Sequence, residues 1–74
     1  MIITVESTSK TVELNGVPAR IWEGKTDSGI VVHCFITRVA IDQNETRIDE
    51  FERELRAQRT PSAALEVYPL RLIL

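Results

Sequence analysis

The sequence predicts an α+β fold, in which a mostly antiparallel sheet of four or five strands carries one helix packed on one face. Three observations lead to this prediction: β-rich runs of alternating polarity, an Asn-Gly turn between two of them, and one amphipathic segment in the second half of the chain. The predicted order is β-β-β-β-α-β. The alternative is a small, partly open β-barrel with one helix.

Length and composition are typical of one small globular domain, residues 1–74, with 43% hydrophobic and 27% charged residues. The net charge of −2 provides no broad positive field, so we do not expect nucleic acid or an anionic membrane as a partner. The sequence shows neither a signal peptide nor an apolar run of membrane-spanning length. Cys34 is the single cysteine, which excludes an internal disulfide and predicts a cytoplasmic protein.

The first three strands are predicted around a tight hairpin. Residues 2–6 have strand composition, residues 7–10 read as a polar connection, and residues 11–14 lead into Asn15-Gly16, a strong two-residue hairpin signal. Pairing across this turn places alternate side chains on one face. That predicted apolar face contains Val12, Leu14, Val17, Ala19 and Ile21.

Residues 30–41 form the longest predicted strand, because they are dense in β-branched residues. A bulge or the end of burial is expected near Arg38, which falls on an otherwise apolar face. The opposite face is mixed in polarity. We expect it to join the second hairpin strand so that four side chains share one surface: Arg20, Trp22, His33 and Phe35.

The predicted helix begins at Thr46, which with Asp49 resembles a capping box, and Pro61 stops it. Its apolar stripe is narrow and consists of Ile48, Phe51 and Leu55. Such a helix covers only one patch of a sheet, so the second sheet face is expected to need another subunit or a partner. The tail, with Leu70, Leu72 and Leu74 in alternation, reads as a final strand.

The segment from Trp22 to Gly29 contains Gly-Lys-Thr, which ends many phosphate-binding loops. The full loop needs an earlier glycine and a following helix. Here Ala19 occupies the first glycine position, and another strand follows. We therefore interpret the segment as a hairpin connection.

The sequence presents no constellation that predicts an enzyme. His33 and Cys34 are neighbours on a strand, so their side chains point to opposite faces and cannot form a nucleophile–base pair. They are the only histidine and the only cysteine, which leaves no cluster of metal ligands. We expect no cofactor.

The predicted function is a non-catalytic protein-binding or regulatory module, homodimeric or higher, in the style of small phage or mobile-element accessory and inhibitor proteins. The predicted partner-binding residues are Arg20, Trp22, His33, Phe35 and Tyr68, since Trp, Tyr and Arg are common interface anchors. The alternative is a small-molecule binding protein for an anionic ligand or nucleotide, with its site at a subunit interface. The candidate anion-binding residues are Lys25, Thr26 and Ser28. A nucleic-acid-binding module is the third possibility.

Overall fold

The computed structural model describes residues 1–62. Strands β1 (Ile3–Leu14), β2 (Val17–Thr26) and β3 (Val31–Ile36) form one open antiparallel sheet in the order β1-β2-β3, and helix α1 (Ile48–Arg56) follows. The fold is a small α+β domain. The prediction of four or five strands is wrong, because the sheet formed by residues 1–62 has three, and the open sheet also overturns the barrel alternative.

Two differences explain the smaller number of strands. Residues 7–10, predicted as a connection, lie inside β1, so two predicted strands are one. The strand predicted over residues 30–41 ends at Ile36, ahead of Arg38, where a bulge or the end of burial was expected. The final predicted strand, residues 65–74, lies outside the described residues.

β1 stays continuous because it contains a bulge. The pairs Ser7–Trp22 and Thr11–Arg20 enclose three residues of β1 but only Ile21 of β2. The hydroxyl of Thr8, in the bulge, donates a 2.6 Å hydrogen bond to the carbonyl oxygen of Ile21. Thr8 and Ile21 are both fully buried. A side chain thus satisfies a buried backbone group within the irregular part of the ladder.

The hairpin between β1 and β2 is confirmed. Leu14 pairs with Val17, and the two turn residues have positive φ, 51° at Asn15 and 81° at Gly16. Both central residues of a type I′ turn require this conformation, which Asn and Gly tolerate best. The predicted apolar face therefore exists in this hairpin, and Ala19 is buried on it.

The alignment of β3 differs from the prediction. Five residues separate Lys25 from its partner Val31. As a result, even-numbered residues of β2 pair with even-numbered residues of β3, and odd-numbered residues pair with odd-numbered ones. An odd number of residues between two paired positions always gives this alignment. The predicted surface, which combined Arg20 and Trp22 with His33 and Phe35, required an even number. The mixed face of β3 consequently joins the apolar face of the hairpin, with Phe35 opposite Ile21.

Helix α1 has the predicted stripe but lacks the predicted cap. Its N-cap is Arg47, and no side chain caps it, so the capping box is wrong. The carboxylate of Glu45 instead accepts hydrogen bonds from the amides of Thr46 and Arg47. Ile48 is exposed and Phe51 is half-buried, so the helix contacts the sheet only toward its C-terminal end.

The chain after α1 crosses the edge of β1 at the bulge. The amide of Arg59 donates to the carbonyl of Ser7 at 3.1 Å, and the amide of Ser9 donates to the carbonyl of Arg59 at 3.0 Å. The Ser7 hydroxyl also donates to the carbonyl of Ala57 at 2.9 Å. These bonds bring residues 57–62 from the helix side of the sheet to the edge of β1.

Candidate functional site

The four predicted partner-binding residues of the sheet do not share a surface. Trp22 lies opposite Cys34, on the side of the sheet that carries α1. His33 lies opposite Glu23, and Phe35 is on that second side too. The predicted common surface is therefore wrong, because the even-numbered residues of β2 share a face with the even-numbered residues of β3, whereas His33 and Phe35 are odd-numbered. Tyr68 lies outside the described residues.

Arg20 holds the end of the helix. Its Nη1 donates to the carbonyl oxygen of Leu55 at 3.1 Å. When the Gln58 amide is turned so that its oxygen faces Arg20, that oxygen accepts from Nη1 at 3.1 Å and from Nη2 at 2.7 Å. A cation at the C-terminal carbonyls of a helix is electrostatically favourable. Arg20 thus attaches α1 to β2.

A cleft of about 260 Å³ opens beside this contact, between the sheet and α1. Trp22, Ile36 and Leu55 contribute apolar walls, and Thr37 and Arg38, which follow β3, contribute polar groups. Of residues 1–62, no carboxylate lines this cleft. Its walls combine an aromatic ring with positive charge.

A buried polar cluster on the other side of the sheet was missed in the sequence. The carboxylate of Glu23 accepts three bonds at Oε1 or Oε2: from Nη1 of Arg59 at 2.9 Å, from the amide of Ser62 at 2.9 Å and from the hydroxyl of Ser62 at 2.6 Å. Nε2 of His33 lies 3.2 Å from Oε2. The sequence signal for this cluster was a charged residue, Glu23, at an apolar position of β2. Its partners could not be identified from the sequence, because they lie 10 to 39 residues away along the chain.

The cluster strongly favours the ionised carboxylate. Burial by itself would raise the pKa of Glu23, because it penalises the charged form. The hydrogen bonds from the Ser62 hydroxyl and amide and from Arg59, together with the positive charge of Arg59, outweigh burial and lower the pKa from 4.5 to about 2. Glu23 is therefore a fixed negative charge that anchors residues 59–62 to the sheet.

The cluster contains the residue types of a catalytic triad, but not its geometry. A triad needs the histidine between the nucleophile and the acid. Here the Ser62 hydroxyl and His33 Nε2 both point to the same oxygen of Glu23. The Ser62 hydroxyl therefore donates its proton to the carboxylate and not to the histidine. These hydrogen bonds hold the segment around Ser62 against β2. Among residues 1–62, no three His, Cys, Asp or Glu side chains are grouped to bind a metal ion.

The Lys25–Gly29 turn uses its own hydrogen-bonding groups. The amide of Ile30 donates to the Thr26 hydroxyl at 3.2 Å, and that hydroxyl also contacts the Ser28 hydroxyl at 3.1 Å. The amides of Thr26 and Gly29 bond to backbone carbonyls at 2.9 and 3.0 Å. An anion site at Lys25, Thr26 and Ser28 would need such donors to be available. The geometry therefore gives that prediction no support.

Two arginines at the ends of the helix form ion pairs with carboxylates. Arg47 contacts Glu45 at 2.8 Å, and Arg56 contacts Glu52 at 3.8 Å. Nucleic-acid binding depends on cations that are available to phosphates. These two pairs place a negative charge beside each of the two arginines.

One end of the sheet exposes four branched aliphatic side chains, which we call the apolar end. It comprises Ile2, Ile3, Ile30 and Val31, with exposed fractions of 64%, 38%, 62% and 63%. The strand pairing places them at the same end of the sheet, because the Asp27 amide bonds to the Ile2 carbonyl and the Thr26 amide bonds to the Ile30 carbonyl. Ile3 and Ile30 lie on one face of this end, and Ile2 and Val31 on the other. Exposed aliphatic side chains concentrated at one end of a domain are characteristic of an interaction site.

Comparisons with protein-family models, with curated proteins and with solved structures found no match to this chain. In the described part of the chain, no helix is long and apolar enough to cross a membrane. Function is therefore inferred from the surfaces of the molecule alone.

Proposed function

We propose that this chain is a non-catalytic protein-binding module that associates with a second copy of itself through the apolar end. The observation that carries the proposal is the exposure of four aliphatic side chains at one end of the sheet. This surface replaces the one predicted around Trp22 and His33.

The charges around the apolar end suit a two-fold symmetric contact. Lys25 and Asp27 are exposed beside it, and neither side chain makes a hydrogen bond or ion pair with residues 1–62. In an isologous interface a residue of one copy meets a different residue of the other, and the reverse contact also forms. One cation and one anion flanking an apolar patch are therefore complementary to the same patch on a second copy.

The expected affinity follows from the buried side chains. Full burial of one such residue contributes roughly 1.5–3 kcal/mol, and about half of each is exposed, so eight side chains from two copies contribute about 10 kcal/mol. Loss of translational and rotational freedom costs at least about 4 kcal/mol. The balance corresponds to a weak dimer, with Kd on the order of 10⁻⁴ M.

Sedimentation equilibrium over concentrations that bracket this Kd tests the proposal. Ile30→Asp places a charge in the contact and should leave a monomer with unchanged far-UV circular dichroism. Val17→Asp is the matched control, because Val17 is 49% exposed at the opposite end of the sheet, and this variant should dimerise like the native chain. A native chain that stays monomeric, or an Ile30→Asp variant that still dimerises, would refute the proposal.

The wider proposal is that the dimer acts by binding another protein in the cytoplasm. The single cysteine supports a reducing compartment. Affinity capture with the native chain and with Ile30→Asp, in parallel, tests whether recovery of a partner depends on the dimer. A partner recovered equally by both would bind elsewhere on the molecule.

A further inference from the structure

The cleft between the sheet and α1 is separate from the apolar end and suggests a ligand site of its own. It is lined by residues from the middle of β2, the end of β3 and the helix, whereas the apolar end lies at the start of β1 and the β2–β3 turn. Ligand binding in the cleft is thus independent of self-association.

The two arginines at the cleft have different roles. Arg20 is bound to Leu55 and Gln58, so its charge largely balances the helix carbonyls. Arg38 is exposed, and no residue within 1–62 forms a hydrogen bond or an ion pair with its side chain. Arg38 therefore supplies the charge for an incoming anion. An arginine–carboxylate contact is charge-assisted and can be bidentate.

The walls determine the rest of the ligand. The Trp22 ring, Ile36 and Leu55 form an apolar surface suited to a flat apolar body, and the Thr37 hydroxyl can accept or donate beside the acid group. The volume of about 260 Å³ is at the small end of ligand pockets, which accommodates one ring and one acidic group.

We propose that the cleft between β2, β3 and α1 binds a small organic anion, with a flat apolar body against Trp22 and its carboxylate on Arg38. The ligand class is that of aryl carboxylates. This site differs from the anion site predicted from the sequence at Lys25, Thr26 and Ser28, because those residues lie at the end of β2 and in its connection to β3.

The emission of Trp22, the single tryptophan, reports directly on this cleft. Titration with benzoate should give a saturable change with a Kd of about 1 mM or tighter. Benzamide, which has the same shape without charge, should bind at least about 10-fold more weakly, as expected for loss of a charge-assisted bond. Inorganic phosphate should also bind more weakly, because it cannot use the apolar walls.

Arg38→Gln should weaken benzoate binding by about 10-fold or more. Arg53→Gln, on the exposed side of α1, is the matched control and should bind as the native chain does. The titrations are repeated in the Ile30→Asp variant, so that dimerisation does not affect the result. No saturable change with benzoate, equal binding of benzamide or phosphate, or an unaffected Arg38→Gln variant would each overturn the proposal.

Discussion

Replacing Glu23 with glutamine tests the buried cluster most directly. The substitution keeps the shape of the side chain and one acceptor oxygen, but removes the charge that faces Arg59 and His33. The pKa of Glu23 falls from 4.5 to about 2 in the fold, and this difference corresponds to stabilisation on the order of 3 kcal/mol. Because Gln retains part of the hydrogen bonding, we expect a loss of about 2–3 kcal/mol at neutral pH.

Such a loss is large for this molecule. A domain of 74 residues is stable by about 4–11 kcal/mol. Urea unfolding followed by circular dichroism, which does not depend on the environment of Trp22 alone, measures the change. Glu13→Gln is the matched control, since Glu13 is exposed on the other side of the hairpin, and we expect its effect to stay within about 0.5 kcal/mol.

The pH dependence has a definite sign. A carboxylate with a lowered pKa stabilises the fold above its unfolded pKa, and this stabilisation disappears as the pH falls through the folded pKa. The stability difference between the native chain and Glu23→Gln should therefore shrink as the pH falls from 4.5 toward about 2. A loss below about 0.5 kcal/mol, or a difference that does not change with pH, would refute this account of the cluster.

Three further changes test the bulge, the close approach of β1 to β2 at Gly24, and the pair of acids Glu6 and Glu23 that face each other across the strands. Thr8→Val should cost about 1–3 kcal/mol, because it leaves a buried β2 carbonyl without its donor. Gly24→Ala should destabilise the sheet by more than about 1 kcal/mol, since a Cβ there would collide with the β1 backbone. Arg59→Met should cost about 1–2 kcal/mol, because Glu6 and Glu23 face each other across the strands and Arg59 contacts both. Thermal unfolding measures all three.

Each of these changes has its own control. Thr11→Val, at an exposed position of the same strand, is the control for Thr8→Val, and equal losses would contradict the role of the bulge hydroxyl. Gly16→Asn keeps a residue that tolerates positive φ and should be nearly neutral, unlike Gly24→Ala. Adding Glu6→Gln to Arg59→Met should recover part of the stability, and no recovery would argue against repulsion between the acids.

Much of the local structure was predictable because its signals lie within a few neighbouring residues. The Asn15-Gly16 dipeptide specifies a turn with two positive φ values, and that turn fixes which side chains of the hairpin share a face. The helix stripe was likewise readable from its spacing. The continuous β1 was not, since nothing local distinguishes a polar bulge from a polar connection.

The sequence by itself therefore determined the hairpin, its apolar face and the approximate position of the helix. The tertiary structure decided the alignment of β3, which depends on how many residues the second connection leaves unpaired, and so separated Trp22 from His33. It also decided the partners of Glu23, which come from β3 and from the chain beyond the helix. Local signals report on neighbours along the chain, whereas these contacts exist only after distant segments have packed together.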